Sequence, residues 1–217
     1  ATISGLALGT HTELYSGNGD IVVAGRGSQS ASAITSEKGL FALAPNINSG
    51  TGRIGIFGKS TSVNFGFSYA LYLVGGSHVD GTIITSASTE PDAITLIGDA
   101  SAATTVSSAG ILTWSMIGSS GSAAIAANGD AFGHGIEFNF VEVLANGGPI
   151  YVEGKTGNST KAGIALSGAG FRIWRLCAIT RGAGTGAFLT HHGATLLHTG
   201  AAGTGLCHGW YAEQRSN

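Results

Sequence analysis

The sequence has little charge, because Asp, Glu, Lys and Arg make up only 10% of its 217 residues, against about 25% in ordinary soluble domains. The net charge is −2 and no basic stripe occurs, so nucleic-acid binding is not expected. Only 3 prolines are present and no Gly-X-Y period occurs, which excludes collagen. The longest apolar run, residues 69–74, is far too short for a membrane-spanning helix.

Glycine and strand-forming residues are abundant in this sequence. The chain has 37 glycines and 43% hydrophobic residues, and its Val and Ile are spread throughout, which excludes a disordered linker. Ser, Thr, Asn and Gly supply the polar surface, a composition that suits an extracellular fibre or shaft better than a cytosolic enzyme. The two cysteines, Cys177 and Cys207, are compatible with one disulfide in an oxidising compartment or with two buried thiols.

One phrase recurs along the chain: a small or turn residue, an alternating apolar run, then glycine. It occupies residues 19–25, 52–58, 92–98, 123–129 and 148–154, so its spacing is irregular. A strand–turn phrase that returns at intervals of this kind is typical of a solenoid. Two strand groups in each interval indicate coils of roughly 20 residues.

Alternation also predicts the core. In a strand, alternate side chains share one face, so one set of residues in the phrase should point inward. The predicted inward residues are Ile21, Val23, Ile54, Ile56, Ile94, Leu96, Ile150 and Val152. Helices are not expected, because no window of a dozen residues shows a 3.6-residue period and glycine interrupts nearly all of them. The fold class is therefore all-β.

The Gly-Asn-Gly-Asp-Ile-Val-Val-Ala-Gly phrase at 17–25 and the Lys-Ala-Gly-Ile-Ala-Leu-Ser-Gly-Ala phrase at 161–169 support a more specific interpretation. Their alternation resembles the filamentous-haemagglutinin-like repeats of large secreted bacterial proteins, namely two-partner-secretion exoproteins and autotransporter passengers. The resemblance covers about residues 15–180. It implies a right-handed parallel β-helix, an extracellular or cell-surface location, and adhesive or structural work.

Carboxylates are candidates for catalytic pairs, since β-helices also host polysaccharide lyases and hydrolases, and a glycosidase needs two carboxyl groups about 5–10 Å apart. The candidates are Glu90, Asp92 and Asp99, or Asp130 with Glu137. Most of the 12 acidic residues lie at phrase edges, which favours turn-forming Asp and solvated Glu over catalysis.

Metal-binding and sugar-binding patterns are similarly weak. Asn128-Gly129-Asp130 resembles part of a calcium loop but lacks the downstream Glu, so we predict a turn. Four histidines cluster near the end without a zinc spacing: His191, His192, His198 and His208. Five aromatic residues could stack on sugars but more often pack in a core: Trp114, Tyr151, Trp174, Trp210 and Tyr211. No catalytic, cofactor-binding or metal-binding residue is predicted.

The sequence therefore predicts a right-handed parallel β-helix over residues 1–180, with residues 181–217 as a C-terminal cap or assembly tail; the alternative fold is a β-sandwich or jelly roll. The expected function is a non-enzymatic adhesin shaft or self-assembling filament subunit, and the alternative is a carbohydrate-active β-helix enzyme. Expected partners are further copies of the chain, or host or cell-surface glycans. Leu206, Trp210 and Tyr211 are the candidate assembly residues, because they carry apolar surface outside the repeated phrase.

Overall fold

The computed structural model describes most of the chain between residues 2 and 212. The residues outside the described part are 1, 11, 28–35, 62, 64–65, 76–81, 91–92, 106, 114, 120–124, 132, 140–141, 146–149, 159, 162–163, 168–171, 175, 183–187, 192–193, 198–205, 208–210 and 213–217. The described residues form strands, turns and bends and no helix, which confirms the all-β prediction.

Strands of two to eight residues follow one another along the whole described chain. In chain order they are β1 Thr2–Leu8, β2 Glu13–Tyr15, β3 Ile21–Arg26, β4 Ser36–Leu43, β5 Asn46–Asn48, β6 Ile54–Lys59, β7 Phe67–Val74, β8 Thr82–Ser86, β9 Ile94–Ala100, β10 Ser108–Thr113, β11 Ser115–Ser119, β12 Ile125–Ala131, β13 His134–Asn139, β14 Glu142–Ala145, β15 Ile150–Thr156, β16 Ile164–Ser167, β17 Arg172–Trp174, β18 Leu176–Gly182, β19 Phe188–His191, β20 Ala194–Leu197, β21 Leu206–Cys207 and β22 Tyr211–Ala212.

Three sheets share these strands, and up to β19 each sheet takes every third strand. The first sheet runs β1-β4-β7-β10-β13-β16-β19-β20, the second β2-β5-β8-β11-β14-β17-β22, and the third β3-β6-β9-β12-β15-β18-β21. One circuit of the chain therefore contributes one strand to each sheet, and the next circuit pairs with it in parallel. Parallel pairing of this kind differs from the antiparallel sheets that define β-sandwiches and jelly rolls.

The size of the coil differs from the expectation. Gly25 pairs directly with Gly58, and Gly58 with Gly98, so each interval between the repeated glycines is one circuit, not two. A circuit contains three strands, and the prediction of two shorter coils in each interval is wrong. The second sheet explains the error, because its first strands, β2 and β5, have only three residues each and carry too little alternation to be recognised.

The core lies between the three sheets. Leu71 from the first sheet, Ile84 from the second and Ile56 from the third have no exposed surface and belong to one apolar cluster. The predicted inward residues are confirmed where their side chains are described: Val23, Ile54, Ile56, Ile94 and Leu96 are buried, and Ile21 is half-buried against the same cluster. Ile150 and Val152 lie in β15, but their side chains are outside the described part.

The glycines that end the repeated phrase form a column in the third sheet. Gly25, Gly58, Gly98, Gly129 and Gly154 pair in register on successive strands. A Cβ atom at Gly58 would lie 2.1 Å from the Ala70 carbonyl oxygen of the first sheet, and one at Gly98 would lie 2.0 Å from the Gly110 carbonyl oxygen. The backbones of the first and third sheets meet along this column, and only glycine leaves room for that approach.

Both polypeptide directions occur in the sheets. All three sheets end on an antiparallel strand: β20 beside β19, β21 beside β18 and β22 beside β17. The final segment of the chain thus reverses direction against the last parallel strands.

Candidate functional site

An aromatic cluster lies on the outward-facing side of the first sheet, on β4 and β7. Phe41 and Tyr72 occupy the same register position on these neighbouring strands, and their ring centroids are 5.7 Å apart with an interplanar angle of 22°. Tyr69, on the same strand as Tyr72, lies 5.0 Å from it at 13°, and Phe67 lies 6.3 Å from Tyr69. Aromatic pairs at these separations attract one another beyond their burial of apolar area. We call these four residues and Lys38 the aromatic cluster.

Lys38 is the cation of the aromatic cluster. Its Nζ atom lies 5.1 Å from the centroid of Tyr72 and 5.2 Å from that of Phe41, which are cation–π distances. Only 9% of Lys38 is exposed, and burial lowers its pKa below the ordinary value of 10.5. Nζ also donates a hydrogen bond of 3.4 Å to Ser36 Oγ. The two rings therefore hold the ammonium group against the sheet.

The phenols of the aromatic cluster stay protonated at neutral pH. Burial, followed by the charges of Tyr72 and Glu137, raises the pKa of Tyr69 to about 12. Burial and the charge of Glu137 likewise raise the pKa of Tyr72. A neutral phenol donates a hydrogen bond but is a poor general base at this pH. The cluster therefore presents flat rings and hydrogen-bond donors.

A buried polar network lies on the inner side of the same sheet. Glu37 is fully buried and accepts hydrogen bonds from Ser60 Oγ at 2.8 Å and from the Thr61 amide at 3.3 Å. Ser60 Oγ lies 2.6 Å from Ser68 Oγ. The carboxylate packs against Gly27, where a Cβ atom would lie 2.1 Å from Glu37 Oε1. Because Glu37 has no exposed surface, its carboxylate joins the first and third sheets internally and is not accessible to a substrate.

A column of charged residues occupies one register position in the third sheet, next to the glycine column. Its members, one for each strand, are Arg26, Lys59, Asp99, Asp130, Lys155 and Arg181. Lys59 Nζ donates to Asp99 Oδ2 at 2.5 Å, and Ser101 donates to Asp99 Oδ1 from its amide at 3.1 Å and its hydroxyl at 2.6 Å. Burial alone would raise the pKa of Asp99, but these hydrogen bonds outweigh it and lower the pKa below 3.8.

The candidate carboxylates are arranged differently from either set proposed from the sequence. Asp99 and Asp130 occupy the same register position on adjacent strands β9 and β12. Glu137 lies in the first sheet and Asp130 in the third. Glu90 is exposed and outside any strand, and its amide donates to Ser88 Oγ at 3.1 Å, while Asp92 lies outside the described residues.

The candidate metal-binding residues lie either in strands or outside the described residues. The expected turn at Asn128-Gly129-Asp130 is wrong, because these residues lie inside β12, where Gly129 belongs to the glycine column. His191 lies in β19, whereas His192, His198 and His208 fall outside the described residues. Within the described part, no three His, Cys, Asp or Glu side chains are grouped to hold a metal ion.

The candidate aromatic and assembly residues lie mainly where only the backbone is described. Tyr151 is in β15, Trp174 in β17, Leu206 in β21 and Tyr211 in β22. Trp114 and Trp210 lie outside the described residues. The backbone register places Cys177 of β18 opposite Cys207 of β21.

Sequence reasoning missed the aromatic cluster. The signal was present, since Lys38 and Phe41 precede their register partners Tyr69 and Tyr72 by one and the same interval along the sequence. Recognising it required the length of one circuit, which is greater than the expected coil of roughly 20 residues.

Comparisons with known proteins add no family assignment. No protein-family profile matches the chain, and neither the curated proteins nor the solved structures contain a significant match. Among the described residues, no helix is long and apolar enough to cross a membrane.

Proposed function

We propose that the chain is a right-handed parallel β-helix that serves as a structural and adhesive segment of an extracellular or cell-surface bacterial protein. The observation that carries this proposal is the in-register parallel stacking of all three sheets over successive circuits. Such stacking builds an extended surface and not an enclosed pocket. The low charge of the chain and its resemblance to haemagglutinin-like repeats support the location.

The adhesive part of the proposal draws on the aromatic cluster. Its rings project from the outer face of the first sheet, and Phe67 is 50% exposed. Flat apolar rings beside phenol donors offer both the stacking and the hydrogen bonds that a sugar ring requires. Host or cell-surface glycans are therefore the proposed external partners, and further copies of the chain are the proposed assembly partners.

The segment 181–217 fits a cap better than an assembly tail. Each sheet closes on a short antiparallel strand formed by this segment, in β20, β21 and β22. Antiparallel strands laid over the last parallel strands satisfy edge groups that would otherwise pair with another chain. Deletion of residues 200–217 should then expose the edge and cause aggregation. A folded, monomeric truncated chain would instead assign assembly to the tail.

Electron microscopy of the purified chain tests the structural role. Seven strands stacked at about 4.8 Å give a body roughly 30 Å long, so longer ordered particles must contain several copies. Particles that lengthen in steps of this size support a filament subunit, and particles of one such length support a shaft segment. A body without this repeat spacing in fibre or solution scattering would contradict the solenoid.

A second candidate function, a carbohydrate-active enzyme, is favoured by one observation. Asp99 and Asp130 lie on adjacent strands, whose separation of about 4.8 Å approaches the roughly 5–5.5 Å between the carboxyl groups of retaining glycosidases. Asp99 is held ionised by Lys59 and Ser101, which suits a nucleophile but leaves the acid unassigned. We expect no turnover of common polysaccharides. Turnover that Asp99→Asn abolishes and the exposed control Glu90→Gln retains would favour the enzyme.

A further inference from the structure

A shallow groove lies on the outer face of the third sheet, beside the glycine column and on a different sheet from the aromatic cluster. Its volume is about 300 Å³, and it is lined by Ala24, Gly25, Arg26, Phe57, Gly58, Lys59 and Ile97. We call it the third-sheet groove.

The floor of the third-sheet groove is apolar and flat. Ala24, Phe57 and Ile97 share one register position on β3, β6 and β9. Ile97 is 38% exposed, and the neighbouring Val22 is 70% exposed. The Phe57 ring lies against Gly55, since a Cβ atom there would be 2.7 Å from Phe57 Cε2. Glycine at position 55 therefore allows the ring to lie along the sheet.

One wall of the groove is positively charged. Arg26 and Lys59 are exposed and occupy the same register position on adjacent strands, where like charges repel. Asp99 neutralises Lys59 through the 2.5 Å ion pair. No described residue forms an ion pair with Arg26, so two cations and one carboxylate leave one positive charge beside the apolar floor.

From this arrangement we propose that the third-sheet groove binds a saccharide that carries a carboxylate. The C–H face of the sugar ring lies on Phe57 and Ile97, and the carboxylate meets the guanidinium of Arg26. A guanidinium offers two parallel N–H donors that match a carboxylate, and small-ligand sites combine an apolar lining with few polar groups. The inference rests on the proposed adhesive function and names the ligand class for a second surface.

The shape of the groove favours a ring over an extended acidic chain. The groove is open, and its floor is one residue wide on each of three strands, which presents a small flat area. A pyranose has one apolar face and a polar rim, so it covers this floor and keeps its hydroxyl groups in water. An acidic peptide would leave its backbone groups without partners on the apolar floor.

Isothermal titration calorimetry with two matched disaccharides tests the proposal. One disaccharide ends in glucuronate and the other in glucose, so the pair differs only in the carboxylate. A charge-assisted hydrogen bond predicts about tenfold tighter binding of the glucuronate form at low ionic strength. Added salt should reduce this preference, because the contact is exposed to solvent.

Variants separate the two parts of the groove. Arg26→Gln should abolish the preference for glucuronate and leave binding of the glucose form unchanged, whereas Phe57→Ala should weaken both sugars. Arg53→Gln is the matched control, because Arg53 is exposed directly before β6 and pairs with Asp20 at 2.9 Å. Phe57→Leu, which keeps apolar volume but loses the flat ring, controls for any loss of folding in Phe57→Ala.

Several outcomes would overturn the inference. Equal affinity for both sugars, or an unchanged preference in Arg26→Gln, would refute carboxylate binding at Arg26. If a glutamate-containing tripeptide binds equally tightly and its binding depends on Arg26, the ligand class of the groove is acidic peptides and not saccharides. Either result leaves the structural and adhesive proposal standing if the particles seen by electron microscopy are unchanged. Cleavage of either disaccharide would instead contradict the proposed non-enzymatic function.

Discussion

Replacing one glycine of the column by alanine should strongly destabilise the protein. The Cβ atom of Gly58→Ala would lie 2.1 Å from the Ala70 carbonyl oxygen and 2.5 Å from its carbonyl carbon, whereas ordinary contacts begin at 3.4 Å. The obstruction is backbone, which cannot rotate away as a side chain does. The first and third sheets would have to separate locally by about 1 Å.

The loss of folding stability in Gly58→Ala is the difference between two opposing contributions. Overpacking typically costs about 1–3 kcal/mol, and a contact between two backbones belongs at the upper end of that range. Alanine offsets about 0.4–1 kcal/mol by reducing the freedom of the unfolded chain. The expected net loss is about 2 kcal/mol. For a chain of this size each kcal/mol lowers the Tm by about 2–4 °C, so a decrease of about 4–8 °C is expected.

Thermal unfolding followed by far-UV circular dichroism measures this effect, with urea unfolding as a second determination. Gly9→Ala is the matched control, because a Cβ atom at Gly9 meets nothing within 4 Å. Its stability should stay within about 0.5 kcal/mol of the wild type, as is usual for a surface substitution. If Gly58→Ala and Gly9→Ala unfold at the same temperature, the close approach of the sheets at the glycine column is refuted.

Three further predictions concern the core, the ion pair and the cysteines. Ile56→Ala, at a site with no exposed surface, should cost about 2–5 kcal/mol in urea unfolding, whereas Val22→Ala at a 70% exposed site should be nearly neutral. The lowered pKa of Asp99 stabilises the fold above pH 3.8, and this contribution disappears as the pH falls through the folded-state pKa. The Tm of the wild type should therefore exceed that of Asp99→Asn at about pH 5 and converge with it on acidification; a constant difference would contradict this. Directly opposite residues of antiparallel strands have Cα atoms about 4.5–5.5 Å apart, within the disulfide range, so Cys177 and Cys207 should form a disulfide in an oxidising compartment. The intact mass should then be lower by two hydrogen atoms, and two thiols that react with iodoacetamide without prior reduction would exclude the bond.

The sequence predicted the strands and the core better than the surface. Ile54, Ile56, Ile94 and Leu96 could be assigned to the interior because a strand places alternate residues on one face, and this local rule does not depend on the rest of the fold. The number of strands in a circuit could not be predicted in this way, because strands such as Asn46–Asn48 are too short to alternate.

Surface features depend on register, which a local pattern does not contain. Asn128-Gly129-Asp130 has the composition of a turn, yet the need for glycine where two sheets meet places it inside a strand. In the sequence, Tyr69 and Tyr72 belong to an apolar run. In the sheet, Lys38 and Phe41 of β4 lie beside them. Residues about one circuit apart in the sequence are neighbours in the sheet, and only the strand pairing reveals this.

The glycine column keeps its register although the length of chain between successive glycines differs from one circuit to the next. The connections between strands therefore absorb most of the difference in length, while the cross-section at the column stays constant. In a chain of stacked strands, insertions and deletions outside the strands change the outline of the molecule without changing its interior. Peptides grafted into the connection between β8 and β9, which belongs to the longest interval, should be displayed on the surface at little cost in stability.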